Sequence, residues 1–167
     1  MNNDELLQLI EAEQHNQETQ TKVESEKVKF LVFSIFDKRY ALEATTVREI
    51  VSDVVLYSIP FTPHYVRGLI NRHGEPYSVF DLSMLFQGEP VLSNKYAILN
   101  QVDDQVAIII TDVLSFTTVA KEDIKEISNS DENTTFFSGS ILFNGRDILI
   151  INVQSIINKL IEDLEYV

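Results

Sequence analysis

The sequence predicts a mainly β domain with few and short helices. Short apolar runs rich in β-branched and aromatic residues recur along the chain, as in Phe30-Leu31-Val32-Phe33 and Val106 to Val113. Turn signals separate them, the strongest being Asn144-Gly145. A sustained helical spacing of apolar residues is confined to the C-terminal end, at Ile156, Ile157, Leu160, Ile161 and Leu164. Many short strands with little helix point to barrels or a sandwich rather than a doubly wound sheet.

Taken in order, residues 1–27 stand apart. They carry seven acidic residues against two lysines, and lack Gly and Pro. Leu6, Leu7, Leu9 and Ile10 form one short apolar patch behind a possible cap at Asn3 or Asp4. Residues 1–12 read as a short helix and 13–27 as a tether or extended helix, since Val23 is the one sizeable apolar side chain after Gln14. Residues 28–167 read as one domain. Val28 to Phe36 is apolar on both faces and reads as a strand buried on both sides. Asp37-Lys38 is a hairpin tip before Arg39 to Leu42. Ala44 to Val51 reads as a short helix with Val47, Ile50 and Val51 inward. Tyr65 to Ile70 is extended, Asn71-Arg72-His73-Gly74 turns, and Pro76 to Phe80 is extended again. Asp81 then caps a helix that begins at Leu82. Tyr96 to Val102 and Val106 to Val113 are strands joined by Asp103-Asp104-Gln105. Phe137 to Phe143 and Asp147 to Val153 form a further hairpin. The sequence displays no internal repeat.

Composition narrows function. The chain has 167 residues, 44% of them apolar, enough for one substantial core. It has no cysteine, which excludes disulfides and thiol catalysis and fits a cytoplasmic protein. A formal charge of -13 argues against nucleic acid and anionic lipid as partners. No apolar run is long enough to span a bilayer, and the polar Met1-Asn2-Asn3-Asp4-Glu5 does not read as a secretory leader.

Catalytic constellations are weak. His64 and His73 flank a strand that would hold them tens of ångströms apart if straight, so no shared metal is expected. The serines lack a nucleophile-elbow setting, and the glycines form no phosphate loop. Asp81 and Asp112 each follow a strand. They could form an acid–base pair in a small hydrolase or ligand-binding barrel, but capping and turn bonding is the heavier reading. The sequence therefore assigns no catalytic residue, cofactor or metal. Its best functional candidate is the cationic cluster Arg67, Arg72 and His73 on an acidic chain. The cluster suits docking of a partner's carboxylates, with Val47 and Glu49 nearby.

The ordered series Pro63, Gly68-Leu69-Ile70-Asn71, Gly74 and Asp81-Leu82 resembles the CheW family of chemotaxis adaptors. Phe30-Leu31-Val32-Phe33, Tyr40-Ala41-Leu42 and Val47-Arg48-Glu49-Ile50 resemble its opening, and Asp112-Val113 a later core strand. Gly139, Asn144-Gly145 and Leu149-Ile150-Ile151-Asn152-Val153 resemble its end. The resemblance covers roughly residues 28–160. It implies two small, packed, SH3-like β-barrels with a C-terminal helix, and a non-enzymatic adaptor. That adaptor would couple the regulatory domain of a CheA-type histidine kinase to a methyl-accepting chemoreceptor, or serve a pilus-motility or gliding array. The implied receptor surface comprises Val47, Glu49, Gly68 and His73, beside Arg67, Asn71 and Arg72. Where the family usually has Asn-Leu-Arg-Gly, this chain has Asn71-Arg72-His73-Gly74. Because neighbouring side chains of a strand point to opposite faces, Arg72 need not replace the arginine that His73 displaces. Ser78 stands for a usual proline, and Asn152 for a frequent aspartate.

Overall fold

A computed structural model describes residues 4–5, 7–9, 11, 25–101, 103–127 and 135–165. The described residues between 4 and 11 are helical and exposed. The tether expected over 13–27 lies largely outside the described residues.

β1 (Lys27–Ile35) and β2 (Lys38–Glu43) form an antiparallel hairpin. β1 has no polar face because it serves two cores. Phe30 and Val32 join Ala41, Ile141, Ile148 and Ile150 in a small apolar cluster. Phe33 and Ile35 join a larger cluster that includes residues of both sheets, among them Tyr40, Val79, Ile108 and Phe137. Successive strand side chains alternate faces, so one segment can supply both.

The helix expected over Ala44 to Val51 does not form. Ala44–Thr46 makes one 3-10 turn, and β3 (Val47–Ser52) follows as a strand paired with β7 (Lys95–Leu99). Val51 is buried, whereas Ile50 points outward. The helical spacing was misleading because Thr45, Thr46, Val47, Ile50 and Val51 are all β-branched, and an available strand partner decides the outcome.

β3 enters a six-stranded sheet ordered β3-β7-β8-β6-β5-β4. Its other members are β4 (Leu56–Tyr57), β5 (Val66–Arg72), β6 (Glu75–Phe80) and β8 (Val106–Ile110). The short helix α1 (Leu82–Gln87) follows β6. The second sheet is ordered β10-β11-β12-β2-β1-β9. It adds β9 (Asp112–Ala120), β10 (Lys125–Glu126), β11 (Phe137–Phe143) and β12 (Arg146–Ile151), and α2 (Val153–Glu165) closes the chain. The expected strand through Val113 is in fact two. At Thr111 the backbone leaves the first sheet, donating to the Ser34 carbonyl at 2.8 Å, while its Oγ1 accepts from Phe36 N at 2.8 Å. β9 then runs antiparallel to β1. The strand expected to reach Val102 ends at Leu99, and Val102 lies outside the described residues.

The two sheets are the lobes implied by the resemblance, and they repeat one another. In each, a short strand, a bulged strand and a third strand lead into a helix, and the third strand pairs parallel with a strand from the other half of the chain. The same number of residues separates Gly68 from Gly139, His73 from Asn144, Gly74 from Gly145 and Asp81 from Asn152. Both hairpin turns are two residues long with positive φ, at His73-Gly74 and Asn144-Gly145, as the type I′ geometry requires. β1 and β2 complete the lobe built by the second half, and β7 and β8 complete the lobe built by the first. The lobes are therefore interlocked by exchange of a strand pair, a topological repeat that residue identities conceal.

Candidate partner-binding site

The site grows from the β5–β6 hairpin. His73 takes φ +53, a region where histidine is less disfavoured than most residues, and Gly74 takes φ +82. Asn71 Oδ1 accepts from Gly74 N at 3.1 Å and closes the turn. This geometry leaves His73 exposed at the tip.

Arg72 ends β5 and reaches Glu49 on β3. Its Nε and Nη2 donate to the two carboxylate oxygens at 3.2 and 3.0 Å, a forked pair. Both side chains are half-buried. The Arg72 hydrogen bond holds the Glu49 carboxyl below the ordinary carboxylate range, and the charges of Arg72, His73 and Arg48 add to that. Arg48, beside Glu49, donates to the Tyr77 hydroxyl at 2.8 Å, and that hydroxyl donates to Glu75 at 3.3 Å. Arg72 is thus engaged with Glu49, beside His73 at the hairpin tip. Arg72 shares the strand face of buried Gly68 and Ile70, and Glu49 that of Val47 and buried Val51, so the pair meets on the inward side of the curved sheet.

The structure divides the expected cationic cluster. Arg67 sits near the start of β5. Its Nη1 donates to Asp81 at 2.7 Å and to the Val91 carbonyl at 3.4 Å. Five residues of strand place it roughly 16 Å from Arg72. Arg67 therefore neutralises a buried carboxylate. Gly68, at φ +140, lies so close to the neighbouring chain that a Cβ would come within 2.0 Å of the Tyr57 carbonyl oxygen. Val47 is half-buried and packs against the main core. Val47, Glu49, Asn71, Arg72 and His73 thus share one end of the first sheet, with Gly68 fixing the strand that carries three of them.

The carboxylates considered for acid–base work have separate partners. Asp81 is fully buried and accepts from Arg67, from Met84 N at 3.0 Å and from Val91 N at 2.9 Å. It caps α1 and pins the following loop. Asp112 is exposed and pairs with Lys95 Nζ at 2.9 Å, which holds its carboxyl low. A buried, saturated aspartate and an exposed, paired one do not make an acid–base couple. Among the described residues, no grouping of three or more His, Asp or Glu could hold a metal ion. No helix there is long and apolar enough to cross a membrane.

One contact lay beyond sequence reading. Tyr65 is buried, and its hydroxyl donates to Asp163 on α2 at 2.5 Å. Lys159 donates to the same carboxylate at 3.3 Å. Burial, then this bond, pushes the tyrosine hydroxyl far above its ordinary range. Residues 98 apart in sequence carry no local signal of such a pairing.

Comparison with known proteins agrees with this architecture. The chain is similar to the chemotaxis protein CheW of Helicobacter pylori, 28% identical over 141 residues, which is 80% of this chain and 84% of that protein. It is similar to the chemotaxis protein CheW of Treponema pallidum, 26% identical over 119 residues, 66% of this chain and 69% of that one. The crystal structure of the scaffolding protein TtCheW from Thermoanaerobacter tengcongensis superposes with a TM-score of 0.69 at 27% identity, covering 76% of this chain and 90% of that chain. The model of the CheW-like domain matches residues 29–160, and the chain belongs to that family.

Proposed function

We propose that this protein is a non-enzymatic adaptor of a cytoplasmic chemosensory array, joining a CheA-type histidine kinase to a chemoreceptor. One observation carries the reading. The end of the first sheet presents a preorganised, solvent-accessible set, with Arg72 forked onto Glu49 beside His73. Such a set recognises a partner's side chains rather than transforming a substrate. Gly68 and the bulge in β5 hold it rigidly, so little ordering cost falls on binding. Coupling would then act through the relative stability of array states, each binding event biasing the other. The interlocked lobes give one stiff body through which two interfaces can be linked.

The test is co-purification of the tagged protein from native cytosol. A histidine kinase and a coiled-coil receptor should be recovered together. Arg72→Glu should lose the receptor and retain the kinase. Recovery of neither partner, with wild-type protein folded and monodisperse, overturns the reading.

A further inference from the structure

The two lobes carry corresponding clefts of opposite charge. In each lobe the third strand of the repeat pairs parallel with an exchanged strand for only a few residues, and a cleft opens where the two separate. In the second sheet the β12–β2 ladder runs through Leu149–Tyr40 and Ile150–Ala41. Ahead of those pairs, Arg146 to Ile148 and Lys38-Arg39 have no partner residue across the gap. The gap is a cleft of about 410 Å³, floored by Tyr40, Ile148 and Leu149 and rimmed by Lys38, Arg39 and Arg146.

Three observations converge on these cations. Among the described Lys and Arg side chains, all but Lys27, Lys38, Arg39 and Arg146 make an ion pair, a hydrogen bond or a ring contact. Three of those four meet at this one cleft, on a chain of charge -13. Two carboxylates share the rim, but Asp147 is already held by Lys125 at 3.0 Å through both oxygens, which leaves Asp37. In the other lobe the matching ladder begins at Ser78–Val106. By that register Asp104 and Gln105 stand where Lys38 and Arg39 stand, and Glu75 stands where Arg146 stands. The basic set is therefore specific to one lobe and is not dictated by the fold.

We propose that this cleft binds an extended, acidic peptide segment of a partner protein. Unpaired strand backbone on both walls suits an extended chain, since main-chain groups there can be met by a third strand. Apolar side chains on alternate positions of such a segment would rest on Tyr40 and Leu149, which are register partners on one face of the sheet. Its carboxylates would meet the forked guanidinium groups of Arg39 and Arg146.

The probe is a fluorescein-labelled heptapeptide of alternating Glu and Leu, titrated against the full chain by anisotropy, with an alternating Lys and Leu peptide as control. The glutamate peptide should bind, the lysine peptide should not, and binding should weaken with added salt. Amide shifts in the nuclear magnetic resonance spectrum should centre on residues 38–40 and 146–149. Arg146→Glu should weaken binding by about tenfold or more. Arg39→Gln, which keeps the strand and removes only the charge, should weaken it to a lesser degree. Equal binding of both peptides, or shifts centred elsewhere, would overturn the proposal. So would a glutamate peptide unaffected by both substitutions. Tighter binding after removal of residues 1–24 would reassign the cleft to the chain's own acidic segment. Self-association abolished by Arg146→Glu would reassign it to a second copy. Either result overturns the partner peptide as its occupant.

Discussion

Arg72 on β5 and Glu49 on β3 are joined by two parallel hydrogen bonds, although three strands lie between theirs in the sheet order. In a flat sheet that interval is roughly 19 Å. A contact of about 3 Å requires the sheet to roll until its first and fifth strands face each other. The Arg48–Tyr77 bond, from β3 to β6, imposes the same curvature. The pair therefore closes the rim of a barrel-like lobe and presents its charges in fixed positions.

Removing the guanidinium should free Glu49. In Arg72→Leu the Glu49 carboxyl should titrate higher than in the wild-type protein, because its largest lowering influence is that hydrogen bond. The sign for stability follows. Glu49 is lowered on folding, so its contribution is present above the unfolded value and lost as pH falls through the folded one. Carboxyl carbon resonances followed across acid pH should show the upward move, and an unchanged titration would contradict the pairing.

Gly68→Ala should destabilise the domain by roughly 2–4 kcal/mol through overpacking and backbone strain. The added methyl would meet the Tyr57 carbonyl, and φ +140 is disfavoured for any side chain. Gly74→Ala also takes a positive φ but has open space around it, so its cost should be smaller. Denaturant melts of the two variants should separate clearly. Equal midpoints would refute the close approach of β4 to β5.

Asp81→Asn should behave as a structural lesion. It keeps an oxygen to cap α1 but replaces the acceptor of Arg67 and Val91 N by an amide donor and leaves Arg67 without its counter-charge, costing roughly 2–4 kcal/mol. Asp112→Asn, at an exposed and solvent-screened ion pair, should leave the unfolding midpoint close to that of the wild-type protein. An essential hydrolytic activity lost equally in both variants would revive the acid–base pairing.

Tyr65→Phe should loosen α2. The lost hydrogen bond is worth about 1 kcal/mol, allowing for the partial exposure of Asp163. The Asp163 carboxyl is held low chiefly by this bond, so the latch should persist above the unfolded value and weaken as pH falls through the folded one. Hydrogen exchange of α2 amides should rise in the variant and in acid. Unchanged protection would show that apolar packing of Val153, Ile156 and Ile157 holds the helix alone.

Local signals were legible and long-range ones were not. The His73-Gly74 and Asn144-Gly145 turns, the Asp81 cap and the two-faced β1 all follow from neighbours in sequence. The helix expected at Ala44 to Val51 failed because β7 offered a distant strand partner, Val51 pairing with Tyr96 at 45 residues' separation. β9 beyond Val113 is not legible in the sequence because Leu114 and Phe116 lie on its exposed side, which blurs the alternation expected of a half-buried strand. The site was legible as residue types but not as partners. Arg67 and Arg72 are near in sequence yet serve opposite ends of one strand, one in the interior and one at the rim.

The adaptor account rests on simultaneous binding of two partners at separate surfaces. Sedimentation velocity of the full chain mixed with the kinase regulatory domain and a receptor hairpin-tip fragment measures this directly. The account predicts a ternary species, with Arg72→Glu removing the receptor fragment while the kinase complex persists. Mutually exclusive binding of the two, or receptor binding indifferent to Arg72→Glu and Glu49→Lys, would contradict it.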